Sequence, residues 1–233
     1  GLTLAACSPA DDDGATARSA VAPTAAFLAA RADHAPAERE WRTYLADPAA
    51  THRSVLDEID EQNVAKLEVA WTYDARDASP AGASQMQFNP LVVKGVLYGA
   101  SPSLRLFALN AATGEELWQR ELDVDVRAWT ASRGLAYWED EAKGDERLFF
   151  GAGPYLHAVD AKTGRPIEGF GDGGRIDLRE GLGRDVGDDM LGVVASTPGA
   201  IFEDLIVVGG RVNEFRGAAP GHIRAFDVRT GKQ

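Results

Sequence analysis

Residues 106–118 read LFALNAATGEELW, and two later stretches repeat the pattern, LHAVDAKTGRPIE (156–168) and IRAFDVRTGKQ (223–233). Each has apolar residues in alternation, then an Asx residue (Asn110, Asp160 or Asp227), then Thr-Gly three and four positions later. Alternation at period two is the mark of a strand with one face buried. The Asx side chain can accept hydrogen bonds from its own turn, and the glycine can take the positive φ that such a turn needs. In the first copy a further strand leaves the turn and carries Trp118. The Asx positions lie 50 and 67 residues apart, the spacing of a supersecondary unit with loops of variable length.

Around these anchors the chain divides into quartets of short strands. The first is LVV, a tight turn at Lys94-Gly95, VLYGAS, LRLFALN and EELWQRE; the second is GLAYWED, RLFFGA, YLHAVD and RPIEGF. The third is GAIF, a turn at Glu203-Asp204, LIVVGG and HIRAFDV, with a fourth strand expected past Gln233. Four-stranded antiparallel units repeating along a chain predict an all-β protein, a β-propeller of which roughly the first three blades are present. A single β-sandwich does not repeat a turn in this way.

Composition narrows the function. Lys and Arg total 24 against 36 for Asp and Glu, a formal net charge of -12, and no basic stripe interrupts the excess. Phosphate backbones are repelled by such a surface, so nucleic acid is not an expected partner. No apolar run approaches the ~20 residues of a spanning helix. The four histidines (His34, His52, His157, His222) show no metal-ligand spacing, and neither a P-loop nor a G-x-S-x-G elbow occurs. Gly169, Gly171 and Gly174 spell G-x-G-x-x-G, but glycine-broken, charged sequence follows instead of a helix, which predicts a turn. The acidic stretch 184–190 reads as an exposed excursion between blades.

The single cysteine, Cys7, follows Leu4-Ala5-Ala6, the small-residue pattern of an export signal, and is similar to a bacterial lipobox. Residues 1–7 are then the remnant of a lipoprotein signal, with Cys7 as the lipidation site. Residues 8–40 follow as an Ala/Asp/Pro-rich tether and a short helix interrupted at Pro36. Acyl chains on Cys7 would hold the protein at a membrane without a spanning helix. The folded part is expected over 41–233. The chain starts at Gly1 and stops inside the third repeat, so a piece of a longer chain is expected.

The turn pattern A-x-D-x-x-T-G-x-x-x-W resembles the blade repeat of the PQQ-dependent (quinoprotein) dehydrogenases, superbarrels of roughly eight such blades. The resemblance runs from Trp41 to Gln233 through EIDEQNVAKLEVAWTY (58–73), QMQFNP (85–90), SRGLAYWED (132–140) and PGHIRAFDVRTGK (220–232). It is stronger to the sugar (glucose-type) enzymes than to the methanol and ethanol enzymes, whose adjacent cysteine pair this chain does not supply.

The resemblance implies cofactor and metal roles. Arg133 matches the arginine that pairs with a PQQ carboxylate, a task suited to a planar, permanently charged guanidinium. Gln87 stands where many members carry a Glu near the quinone ring. Ser196 and Thr197 lie where the family places hydroxyls toward PQQ, and Glu214 matches a ligand of the Ca²⁺ that bridges protein and cofactor. Without their flanks, Arg133 would read as an ordinary ion-pairing arginine and Glu214 as a solvated loop residue.

The implied activity is oxidation of a sugar or polyol with PQQ and Ca²⁺, with a quinone or cytochrome as electron acceptor and the catalytic aspartate beyond Gln233. The implied location is the periplasm, lipid-anchored, with the outer membrane the expected site. The alternatives are a non-catalytic lipid-anchored propeller scaffold in outer-membrane protein assembly and a cofactor-less sugar-binding propeller. The scaffold has no use for a carboxylate clamp or a Ca²⁺ ligand.

Overall fold

The computed structural model describes residues 22–32, 39–78, 85–121, 132–186 and 192–233. It opens with α1 (Ala25–Ala30), whose N-cap Thr24 accepts from the Phe27 amide at 3.1 Å. The helix is too short to hold on propensity alone. Its fixing comes from Phe27, 1% exposed in the apolar layer between the first two sheets. A 3₁₀ turn at Val64–Lys66 follows before the blades begin.

Blade one is β1 (Leu91–Val93), β2 (Val96–Ala100), β3 (Leu106–Asn110) and β4 (Glu116–Arg120), paired antiparallel in chain order. Lys94 (φ 50) and Gly95 (φ 74) make the β1–β2 turn, the two left-handed residues of a tight hairpin. Blade two is β5 (Ala136–Asp140), β6 (Asp145–Ala152), β7 (Tyr155–Asp160) and β8 (Arg175–Asp177), again in order. The chain then forms β9 (Val193–Val194). Blade three is β10 (Ala200–Phe202), β11 (Leu205–Val208) and β13 (Arg224–Asp227), while β12 (Arg211–Val212) leaves it to pair with β9.

Two apolar layers join the three sheets. Leu91, Tyr98, Leu106, Tyr137, Leu148 and Phe150 fill the first, between blades one and two. Trp138, Phe149, Phe170, Ile206, Val208 and Phe226 fill the second, between blades two and three. Blade two is thus buried on both faces, which is why β6 reads as a continuous apolar run where a half-exposed strand would alternate. The outer faces carry exposed Val69 and Leu67 at one side and Phe202 and Leu205 at the other. These are the stacked, unclosed blades of a propeller.

The three Asx turns superpose in their bonding. Asn110, Asp160 and Asp227 each donate their amide to residue i+5 and accept from the glycine at i+4, all at 2.8 Å. Each side-chain Oδ1 caps the amide two residues on, at 2.9, 3.0 and 3.0 Å. The glycines hold φ of 75, 68 and 73°.

The turn glycine also lets the neighbouring blade approach. A Cβ on Gly114 would meet the Trp71 ring at 2.6 Å, and one on Gly164 the Trp118 ring at 2.7 Å. The two indole N–H groups donate to Ala111 and Ala161 carbonyls, each at 3.2 Å. The third seam is built otherwise. Ile176 packs on Gly231, and Arg147 donates to the carbonyls of Val228 (3.0 Å) and Arg229 (2.9 Å).

The sequence expectation fails at the fourth strand of blade two. RPIEGF begins it without carrying it through: the Asp160 amide donates to the Arg165 carbonyl at 2.8 Å and the Ile167 amide to the Ala158 carbonyl at 2.9 Å, on either side of a bridge between Val159 and Pro166. Pro166 sits at the non-hydrogen-bonded position, where its missing amide costs the ladder nothing, and pairing lapses after Ile167 until the Ala158 amide reaches the Gly174 carbonyl at 2.9 Å. The glycine-rich stretch turns, with Gly171, Gly173 and Gly174 at positive φ, and β8 completes the sheet. The β9–β12 ribbon was not expected either.

Candidate cofactor-binding site

Each blade's first strand is entered from the same end of the stack, here called the mouth. The lead-in segments are Gln87–Asn89 before β1, Ser132–Gly134 before β5 and Ser196–Pro198 before β10. They are laced together through one residue. The Asn89 amide donates to the Arg133 carbonyl at 3.0 Å, and the Arg133 amide donates to the Ser196 carbonyl at 2.9 Å. Asn89 and Gly134 form a parallel bridge.

Gly134 follows with φ 152°, and a Cβ there would lie 3.1 Å from Tyr44 Cδ2, 3.2 Å from the Asn89 carbonyl and 3.3 Å from Pro198 Cγ. Ser132 is buried beside it and donates its hydroxyl to the Gly134 carbonyl at 3.2 Å.

The Arg133 backbone is therefore locked while its side chain is exposed, and none of the described carboxylates pairs with it. An exposed arginine whose backbone is held where three blades converge suits a carboxylate ligand, because the guanidinium can offer two parallel donors. Ser196 is half-buried and in direct contact through its carbonyl; Thr197 is exposed beside it. Gln87 is exposed two residues before Asn89, its amide donating to Gln85 Oε1. The structure thus gathers Arg133, Ser196, Thr197 and Gln87 at the mouth.

Glu214 is not gathered with them. β9 and β12 pair with Arg211 opposite Val194 and Val212 opposite Val193, so the chain past Val212 runs away from Ser196. Glu214 is exposed next to Asn213. Its loop closes on the 184–186 segment, where Arg184 donates to the Gly217 and Ala218 carbonyls beside a cavity of about 140 Å³. Ca²⁺ takes about six to eight oxygen ligands. Among the described residues no three of His, Cys, Asp and Glu come together as a donor set. Glu214 therefore stands apart from the mouth residues Gln87, Arg133, Ser196 and Thr197. Cys7 and most of the acidic excursion 184–190 lie outside the described residues.

The opposite end of the stack carries the charged residues that sequence reading passed over. Glu146 takes a two-pronged bond from Arg31 (2.7 and 3.0 Å), and Glu139 pairs with Lys94 at 2.6 Å and with Arg42. Tyr137 donates to both carboxylates at 2.9 Å. Burial alone would raise the Glu146 carboxyl, but the Arg31 hydrogen bond and charge outweigh it and hold the pKa below the usual value. This network is saturated and structural. His157, stacked on Phe150 at 5.0 Å, is pushed down to about 4 by burial and then by Arg175.

Blade repeat, docking indoles and mouth arginine together define a quinoprotein-type propeller. The chain matches the family model of the PQQ "Glucose/ethanol/alcohol dehydrogenase, beta-propeller domain" over residues 41–233, and it belongs to that family. It is similar to the quinate/shikimate dehydrogenase (quinone) of Acinetobacter baylyi, 31% identical over 86% of this chain and 28% of the relative. The quinoprotein glucose dehydrogenase of Gluconobacter oxydans is 28% identical over 86% of this chain and 27% of its own length.

Among solved structures, the quinohemoprotein alcohol dehydrogenase from Comamonas testosteroni shares the fold. It matches with a TM-score of 0.65 at 24% identity, covering 88% of this chain and 28% of that one. The chain therefore spans a little over a quarter of the length of these relatives.

Proposed function

We propose that this chain is the cofactor-clamping arc of a PQQ- and Ca²⁺-dependent dehydrogenase that oxidises a CH–OH group of a sugar or polyol. The observation that carries it is Arg133: both backbone groups are tied to neighbouring blades while its side chain is exposed and pairs with none of the described carboxylates. A scaffold has no need of a carboxylate clamp there. The relative named for glucose supports the sugar class, and the one named for quinate widens it to other hydroxylated substrates.

In this reading Arg133 would hold one cofactor carboxylate bidentately. Ser196 and Thr197 hydroxyls and the Gln87 amide would complete the hydrogen bonds at its edge, and Glu214 would reach a Ca²⁺ there only with its loop brought toward the mouth. The bound quinone supplies a two-electron acceptor for the hydride of the substrate carbon. The base that would take the hydroxyl proton is an aspartate in this reading, and none of the residues placed at the mouth supplies it. Electrons pass onward to a quinone or cytochrome. The protein is held in the periplasm by lipid on Cys7, with the outer membrane as its site.

The test is reconstitution of the full-length protein with PQQ and Ca²⁺, following dye reduction across aldoses, polyols and simple alcohols. Turnover that needs both additions and collapses in Arg133→Ala supports the reading. Absence of PQQ binding overturns it in favour of the scaffold.

A further inference from the structure

A segment that belongs to no blade runs up the inner edge of the stack. At the end away from the mouth, Glu40 accepts from the Lys94 amide at 2.6 Å and Arg42 pairs with Glu139. Between them Trp41 exchanges two backbone bonds with Val92 (3.0 and 2.9 Å), adding an inner rung to β1. At the mouth the Tyr44 ring arrives against Gly134, the residue after Arg133.

Directly beyond Tyr44 the chain reverses. Leu45 (φ 61), Ala46 (φ 84), Ala50 (φ 54) and His52 (φ 55) are all non-glycine residues in the left-handed region. Each such residue costs of order 1 kcal/mol, and they persist only where surrounding contacts over-determine them. The contacts are visible. Ala46 donates to the Thr43 carbonyl at 3.0 Å, His52 to Leu45 at 3.1 Å, and Asp47 caps the Ala49 amide at 2.8 Å. The loop so held turns the chain back directly after Tyr44.

We propose that Tyr44 is a positioning residue for the cofactor: its ring closes the fourth side of the Arg133–Gly134 junction and thereby fixes the direction of the Arg133 guanidinium. Asn89 and Ser196 hold the Arg133 peptide from two blades, and Pro198 and Tyr44 confine Gly134. Glycine is the most permissive backbone. With the ring gone, Gly134 borders an open channel and the arginine on its N-terminal side is free to swing. The part of Tyr44 nearest Gly134 is ring carbon Cδ2, which a Cβ added there would meet at 3.1 Å, so the ring and not the hydroxyl carries the role.

The inference rests on Arg133 being the carboxylate clamp, and the experiment separates the two. PQQ affinity, in the presence of Ca²⁺, is measured by fluorescence titration of the full-length protein, with thermal unfolding of each apo-protein alongside. Tyr44→Ala is expected to weaken PQQ binding about tenfold or more, the scale of a misplaced clamp. Tyr44→Phe should stay within about twofold of wild type.

Gly134→Ala, which crowds the same ring without removing it, should weaken binding too and serves if Tyr44→Ala does not fold. Trp71→Ala, at a blade seam away from the mouth, should lower stability and leave affinity unchanged. If Tyr44→Ala weakens PQQ no more than Trp71→Ala, or Phe fails to restore it, the positioning role is wrong. If Arg133→Ala itself leaves affinity intact, the clamp is wrong and the fault lies with the function proposed above.

Discussion

Trp118 donates its indole N–H to the Ala161 carbonyl at 3.2 Å while its ring covers the Cα of Gly164. One side chain of blade one thus recognises both a peptide oxygen and a missing side chain of blade two. Trp71 repeats the arrangement on Ala111 and Gly114, so the same lock closes two successive seams, while the seam to blade three is built without it.

Substituting the lock should be costly from either side. Trp118→Ala removes a buried aromatic and is expected to destabilise by about 3–5 kcal/mol. Gly164→Ala sets a methyl against the ring at a φ of 68° and should cost about 2 kcal/mol. Equilibrium denaturation of the two variants and their double decides. A double variant whose loss equals the sum of the singles would show that the two residues are not coupled.

The Arg31–Glu146 pair ties the segment before the first blade to blade two. Glu146 has a folded pKa below its ordinary 4.5, so its contribution is fully present above that value and lost as pH falls through the folded one. Glu146→Gln should cost about 3 kcal/mol at neutral pH, because Arg31 is left half-buried without its carboxylate. The variant should also show a shallower loss of stability below pH 4.5 than wild type.

His157 acts in a higher window. Its folded pKa is near 4 against 6.5 unfolded, so the unfolded chain takes up the proton first as pH falls. Stability is complete above 6.5 and is expected to decline by up to about 3 kcal/mol toward pH 4. His157→Phe keeps the stack on Phe150 and should erase that part of the slope. An unchanged pH–stability profile would refute the assignment.

Ligand effects follow from the mouth. PQQ with Ca²⁺ should raise the unfolding temperature of the full-length protein, and a chelator should reverse part of the gain. Arg133→Lys should weaken PQQ binding about tenfold, since an ammonium cannot offer two parallel donors. Equal affinity for the lysine variant would mean that the carboxylate is gripped elsewhere.

The blade count was legible because three turns share Asx and Thr-Gly spacing and a turn's chemistry is local. The fourth strand of blade two was not, because pairing lapses after Ile167 and the strand resumes at Arg175, eight residues later, where the composition gives no alternation. The third seam was hidden likewise, since Ile176 and Arg147 replace the indole that the first two seams led one to expect. At the site, Arg133 was named through its flanking residues. Its adjacency to Ser196 depends on three segments far apart in the chain, which spacing alone cannot convey. Tyr44 and Gly134 meet across 90 positions, and neither residue announces the contact.

The amide and carbonyl of Arg133 have a consequence for how the stack breathes. Opening either seam must break one of the two bonds, so the peptides of Asn89 and Arg133 should exchange their hydrogens at rates set by blade separation, and not by local fraying. The clamp then doubles as a strain gauge. A cofactor that pulls on the guanidinium slows exchange at the Arg133 amide and at Asn89 beside the neighbouring blade, and a loosened blade is felt first as a weakened grip.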